Sequence, residues 1–339
     1  MQHGRGSVLV VVLWTLTLLS VLVAVIASEV RLSAQAARLH REDLQQWAAQ
    51  SAAMNQAEME LLLARMPSGV ESRELEELDR PELYRFNGEP LTLHYPQDAN
   101  IVVRIYDHAG KINLGNLRRA QLRELLAHKL GEDKADPVRL NALMAAWNDW
   151  TDLNDAAAPD GAEADYYLTL DPPYRPRNGP LESVEEILLI KGFAEIFGDV
   201  DLDAAFTLYD DENNNINLNL ATIEALRLLP GLDDQSIQLI LDYRRDNLFR
   251  GNGDVAQLIA AENMALLRPW LSNNQLSAFY SILVYPRLER ADAEGVMQDA
   301  ATTALSEIVR INAATARPTV VKINPYQRIP LRALPDPEE

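Results

Sequence analysis

The sequence predicts an α+β protein. A long N-terminal helix crosses a membrane and leads into an antiparallel sheet, which a large all-helical inserted domain interrupts. Three observations predict this. Ser7 to Ser28 carries no charged residue. Residues 29–66 contain neither Pro nor Gly. Short β-prone runs lie on both sides of a block, roughly residues 107–275, that reads as helical. The strands could also belong to two independent domains. A chain of 339 residues suits about two domains. With 31 Lys and Arg against 50 Asp and Glu, its net charge is −19. That argues against non-specific nucleic-acid binding, which draws its affinity from bases on phosphates. There is no Cys, so disulfides, thiolate metal sites and thiol catalysis are excluded.

The uncharged run reads SVLVVVLWTLTLLSVLVAVIAS, 22 residues. As a helix it spans about 33 Å, enough for a bilayer core. Arg5 before it favours a cytoplasmic start. A cleaved secretory signal is a weaker reading, because the run exceeds the usual apolar region of about 7–15 residues. The run begins directly after Gly4-Arg5-Gly6 with no polar spacer. This resembles the class III leader of type IV pilins and type II secretion pseudopilins. The resemblance implies cleavage by the prepilin peptidase between Gly6 and Ser7, methylation of the new amine, and retention of the apolar helix. Most members carry Glu at mature position five, where this chain has Val11. That Glu is thought to neutralise the terminal amine of a neighbouring subunit, so a subunit lacking it suits a filament tip.

The helix is expected to run from Ser7 to Met66, with Leu44, Trp47, Met54, Ala57 and Leu61 forming one apolar stripe and Pro67-Ser68-Gly69 ending it. The stripe near Leu39–Leu61 fits either a partner helix or the protein's own sheet. Leu91–Tyr95 and Ile101–Tyr106, joined by Pro96–Asn100, read as a hairpin. Phe279–Tyr285, Ala304–Ile311 and Thr319–Ile323 read as later strands. Lys111-Ile-Asn-Leu-Gly-Asn-Leu117 and Asn215-Ile-Asn-Leu-Asn-Leu220 echo one another, each expected to open a helix with an Asn cap. Leu181–Gly192 and the stretch from Ala221 through Tyr243 read as helical hairpins. The second resembles the helix-hairpin-helix of DNA-binding proteins, yet Asp233 and Asp234 at its turn would repel phosphate.

The order of segments is specific: the leader without Glu, Gly110-Lys-Ile-Asn-Leu114, Ala146-Trp-Asn-Asp-Trp-Thr-Asp152, Gly161-Ala-Glu163, Tyr174-Arg-Pro-Arg-Asn178 and Asn217-Leu-Asn219. Together they resemble the general secretion pathway protein K family, the large minor pseudopilin of type II secretion. The resemblance implies a pilin-like fold with a helical insertion. It also implies a role capping the pseudopilus with the type I and type J minor pseudopilins. The expected layout is a leader at 1–6, a transmembrane part at 7–28, and a periplasmic helix with the first strands at 29–106. The inserted domain follows at 107–275, the remaining strands at 276–325 and a flexible tail at 326–339. The expected location is the inner membrane, single-pass, with the head in the periplasm. The alternative is an anchored periplasmic DNA-binding protein.

No catalytic constellation is visible. His3, His40, His94, His108 and His128 are scattered without an HExxH pair, and P-loop, GxSxG and GxGxxG motifs are missing. The expectation is a non-enzyme. From Leu140 to Tyr174 there is no Lys or Arg, yet Asp149, Asp152, Asp155, Asp160, Glu163, Asp165 and Asp171 fall there. A hard cation with six to eight oxygen ligands would relieve their repulsion, which points to Ca²⁺ rather than Zn²⁺. The resemblance likewise implies calcium in the insertion. Asp149, Asp152, Asn154, Glu163 and Asp165 are the favoured ligands, as two short clusters separated by a turn. Asp211–Asn215 matches an EF-hand at positions one, three and five, but Ile216 and Thr222 stand where Gly and Glu belong, so it reads as a decoy.

Overall fold

The computed structural model describes residues 5–65, 84–93, 98, 100–131, 135–209, 215–272, 274–287, 301–311 and 318–330. It divides into Met1–Ala52 and Ala53–Glu339. The described part of the first unit is one continuous stretch of α1, which runs Arg5–Arg65. Its apolar side chains from Leu9 to Ile26 are exposed, and by length and composition the helix suffices to cross a membrane. The hydroxyls of Thr15, Thr17, Ser20 and Ser28 each donate to a carbonyl one turn back. No polar group of theirs is left bare in an apolar setting. Gly6 and Ser7 lie in the first turns of α1. Leu44 and Trp47 are exposed.

The second unit begins with the C-terminal end of α1, where Met54, Ala57 and Leu61 are buried. The stripe read from the sequence therefore splits, its last three members in the core and its first two in solvent. Pro67, Ser68 and Gly69 lie outside the described residues.

Next come β1 (Asn87–Pro90) and β2 (Ile101–Asp107). The expected strand at Leu91–Tyr95 is displaced by four residues. Leu93 is buried and the Leu91 amide still donates to Val103 O, but a register slip within β1 breaks the regular ladder there. After a 3-10 turn at His108–Gly110, β3 (Ile112–Asn113) leads to α2 (Arg119–Leu130), α3 (Pro137–Thr151) and α4 (Ala164–Tyr167). A 3-10 segment at Val184–Leu189 precedes α5 (Ala194–Phe197), α6 (Leu202–Ala205) and β4 (Phe206–Thr207). Then follow α7 (Ile223–Leu226), α8 (Asp234–Asp246), α9 (Asn252–Val255) and α10 (Ala261–Leu267). The chain closes with β5 (Phe279–Pro286), β6 (Ala301–Ile311) and β7 (Pro318–Pro330).

The block between β2 and β5 is not wholly helical, because β3 pairs with β4 in a small parallel sheet. Lys111–Leu114 therefore enters a strand before any helix. Asn113 does cap the 3-10 turn behind it, accepting from the Gly115 amide. The second echo behaves differently. Asn217 and Asn219 are buried and tie loops together: Asn219 exchanges hydrogen bonds with the Phe249 backbone, while Thr222 caps α7. Short polar amides serve loop closure here because a hydroxyl already holds the helix cap.

The main sheet has the order β1-β2-β5-β6-β7, antiparallel throughout. Alternation sorts its faces. Val103, Ile105, Ile282 and Val284 are fully buried on the side where Arg65, ending α1, bonds the Tyr280 hydroxyl and Ser277 O. Arg104, Tyr106 and Ser281 lie on the other side, towards Asp201, Glu224 and Lys111 of the helical block. The largest core belongs to that block, with Trp150, Tyr167, Phe193, Phe197 and Trp270 buried in it. β7 is the edge, and its Val320, Val321, Ile323 and Tyr326 are exposed. It reaches further than expected: Tyr326–Pro330, assigned to a flexible tail by composition, continues the strand, with Ile329 buried opposite Thr302. Residues 331–339 lie outside the described residues.

Candidate metal centre

Asp136 caps α3 by accepting from the Val138 and Arg139 amides, and Pro137 supplies the preset first turn. The inner face of α3, with Leu140, Leu143, Met144 and Ala146, ends in Trp150, packed edge-on against Tyr167. This fixes the neighbouring Asp149, only 1% exposed, under the loop that follows. Its carboxylate accepts from the Ala158 amide at 3.1 and 3.2 Å and from the Ala162 amide at 2.8 Å. Gly161 is required there, since a Cβ would run into Asp149 Oδ2. Asp152 caps the C-terminal end of α3 and accepts from the Asn154 amide at 3.0 Å; Asn154 Oδ1 accepts from the Ala156 amide at 2.8 Å.

Glu163, before α4, is 5% exposed, and neither carboxylate oxygen has a hydrogen-bond partner. Burial raises its pKa, the charges of Asp149, Asp152 and Asp155 raise it further, and the Ala164 amide offsets this only in part. Four of the expected acids thus share one electrostatic neighbourhood. Asp165 stands apart, exposed in the first turn of α4, and Asp160 and Asp171 are exposed as well. Among the described residues, no three His, Asp or Glu side chains already stand in a metal-holding cluster. The Asp211–Asn214 part of the decoy EF-hand lies outside the described residues.

Sequence reasoning passed over Asn178 as a site residue. Its Nδ2 donates to Asp155 Oδ1 at 2.7 Å and to Asn154 O at 3.1 Å, while its buried Oδ1 has no partner. Its φ of 50° is a left-handed conformation that Asn tolerates better than most residues. The available signal was the motif Tyr174–Asn178 itself, which ends on that Asn.

Two further polar groups raised by the sequence have their partners within the fold. The His108 ring nitrogens meet Thr207 Oγ1 at 2.7 Å and Ser281 Oγ at 2.8 Å, with no carboxylate to orient the ring as in a hydrolase triad. At the second helical hairpin, Asp233 accepts from the Ser236 amide at 2.8 Å and occupies the helix end that a phosphate would need.

An apolar N-terminal helix, an antiparallel sheet and a largely helical block inserted between its strands make up a pilin-like α+β fold. Residues 110–197 match the family described as Type II secretion system (T2SS), protein K. Over 174 residues the chain is 26% identical to the type II secretion system protein K of Klebsiella pneumoniae, covering 49% of this chain and 52% of that protein. The chain thus spans about half the length of the curated relative it matches. In fold it is similar to a chain in the crystal structure of the GspK-GspI-GspJ complex from the enterotoxigenic Escherichia coli Type 2 Secretion System. The TM-score is 0.51 at 13% identity, over 85% of this chain and 98% of that one. The family match and the curated relative bear out the resemblance to protein K, and the solved structure bears out the fold.

Proposed function

We propose that this chain is the type K minor pseudopilin of a type II secretion system and caps its pseudopilus together with type I and type J minor pseudopilins. In that place it supports export of folded proteins across the outer membrane. The single observation that carries the reading is the protein K match at residues 110–197, which falls inside the inserted block. The exposed apolar start of α1 supports a single-pass anchor in the inner membrane with the head in the periplasm. Val11 supports the tip position, since it offers no carboxylate to the amine of a subunit ahead. Cleavage after Gly6 by prepilin peptidase and methylation of Ser7 belong to the same reading. Mass spectrometry of the membrane-extracted protein tests it, with a methylated Ser7 expected. An intact Met1, or cleavage after Ser28, overturns it. Co-purification of the full chain with the type I and type J subunits tests the partners.

The acidic loop supports a structural Ca²⁺ in this reading. Its donors are oxygen only, and the unpartnered Glu163 carboxylate and Asn178 Oδ1 are groups that a hard cation would satisfy. Glu163, Asp149, Asp152 and Asp155 would hold the ion, with Asn154 and Asn178 as neutral donors. Bound there, the ion would neutralise the repulsion that raises the pKa of Glu163. The detergent-solubilised full chain is expected to melt at a higher temperature in millimolar Ca²⁺. At a hundredfold excess over Kd the gain is about 2.7 kcal/mol. An unchanged melting temperature, or an equal gain in Glu163→Gln, overturns this assignment.

A further inference from the structure

The acidic stretch has no base of its own, but one reaches it from outside. Lys191 follows the 3-10 segment at Val184–Leu189 and is half-buried. Its ammonium donates to Gly161 O at 3.0 Å and to Asp160 O at 3.3 Å. It also lies 4.9 Å from the centre of the Tyr166 ring, and its backbone amide donates to the Tyr167 hydroxyl at 3.1 Å. Two separate atoms of one residue therefore fasten the loop and α4 to the next segment of chain.

The Gly161 carbonyl and the Ala162 N–H belong to the same planar peptide unit. Its oxygen takes the Lys191 ammonium, and its N–H donates to Asp149 Oδ2 at 2.8 Å. A cation and an anion are thus joined through one peptide group, with a charge-assisted hydrogen bond at each end. Such bonds are stronger than neutral ones, and each polarises the peptide in the sense that strengthens the other. The left-handed Asp160, with φ 66°, and the Gly161 position that admits no Cβ are the local features that let the peptide lie between the two charges.

We propose that Lys191 is a positioning residue for the acidic loop: through the Gly161–Ala162 peptide it fixes the Asp149 carboxylate. Asp149 is thereby held at the neck of the loop, and Glu163 is left as the unpartnered arm. This rests on the calcium reading only for its effect on cation affinity. The mechanical part stands on the hydrogen bonds alone. It also accounts for how a loop of like charges keeps its shape before any cation arrives.

Two readouts on the full chain in detergent test it. The first is amide hydrogen exchange in metal-free buffer. In Lys191→Met, the Ala158 and Ala162 amides should exchange at least about tenfold faster, while the core amides of α3 and β5 keep their protection. Lys191→Arg, which retains the charge, should restore most of it. The second is calcium titration by calorimetry. Outer groups that orient a ligand commonly contribute tenfold or more to metal affinity, so Lys191→Met should bind Ca²⁺ about tenfold more weakly than wild type. Unchanged Ala162 protection in Lys191→Met overturns the proposal whatever calcium does. A uniform loss of protection across the core also overturns it, because Lys191 would then be an ordinary stabilising residue. If the wild-type chain takes up no calcium, the calcium reading fails, and the amide readout still decides the role of Lys191.

Discussion

Two carboxylates of the helical block meet opposite fates. Glu186 accepts a two-pronged hydrogen bond from Arg177 at 2.6 and 2.8 Å, and also receives the Glu182 and Ser183 amides. Those bonds hold its pKa below the usual carboxylate value, even though burial opposes them. Glu163 is buried to a similar degree, has no well-formed hydrogen bond, and has its pKa raised, first by burial. The first corner is complete as it stands. The second is complete only with a cation or a proton. A buried acid with its partners supplied contributes to the fold, whereas one without them is a candidate for function.

The largest effect expected comes from removing what lies beneath the acidic loop. Trp150→Ala should cost about 3–5 kcal/mol in thermal unfolding of the full chain and abolish any calcium response, since it opens a cavity under Asp149. A loss under 1 kcal/mol would show that α3 does not brace the loop. Glu186→Ala should cost about 2 kcal/mol, leaving two amides without their acceptor and Arg177 with Glu182 alone. Glu163→Gln without metal should lose nothing, and should gain a little as the crowding of like charges is relieved. If the two substitutions cost the same, the contrast between the corners collapses.

A third buried acid sharpens the point. Asp107 accepts from the Ala109 amide at 2.8 Å and the Ser277 amide at 3.0 Å, yet burial pushes its pKa up to about 7. Its proton is held more tightly in the folded chain than in the unfolded one. The stability it contributes is therefore complete below about pH 4, and is lost as pH rises towards 7. Melting temperature should fall across that window, and the part due to Asp107 should vanish in Asp107→Asn. A slope unchanged in that variant would place the titration elsewhere, at Glu58 and Glu307, whose pKa values are also raised. The smallest effect belongs to Asp165→Asn. The side chain is exposed, so stability should stay within about 0.5 kcal/mol. A large loss of calcium affinity in that variant would bring Asp165 back among the ligands.

The elements most legible in the sequence are those whose pattern is long or strongly alternating. α1 shows itself by composition, and β2 and β5 by runs that are apolar on both faces. β1 was misplaced because its pairing depends on a register slip that no local pattern records. The parallel pairing of β3 with β4 joins residues more than ninety positions apart, so two-residue strands give no local signal. At the candidate site, the acids were visible as a stretch without bases. What the stretch could not show is which acid keeps its lone pairs free, because Asn178 and Lys191 reach it from outside the window.

The exposed edge strand β7 has a consequence for stacking. Its register against β6 slips between Val320 and Lys322 and again between Asn324 and Gln327, and within that second slip stands Pro325, which has no N–H to give. Lys322 adds a charge two positions before the second slip. A bare strand of 13 residues would ordinarily invite a second copy to extend the ladder without end. This one is interrupted twice, by a register slip at Val321 and by the slip that holds Pro325, and both breaks oppose a neighbour that would extend the ladder. Strand-on-strand polymerisation is opposed by the backbone itself.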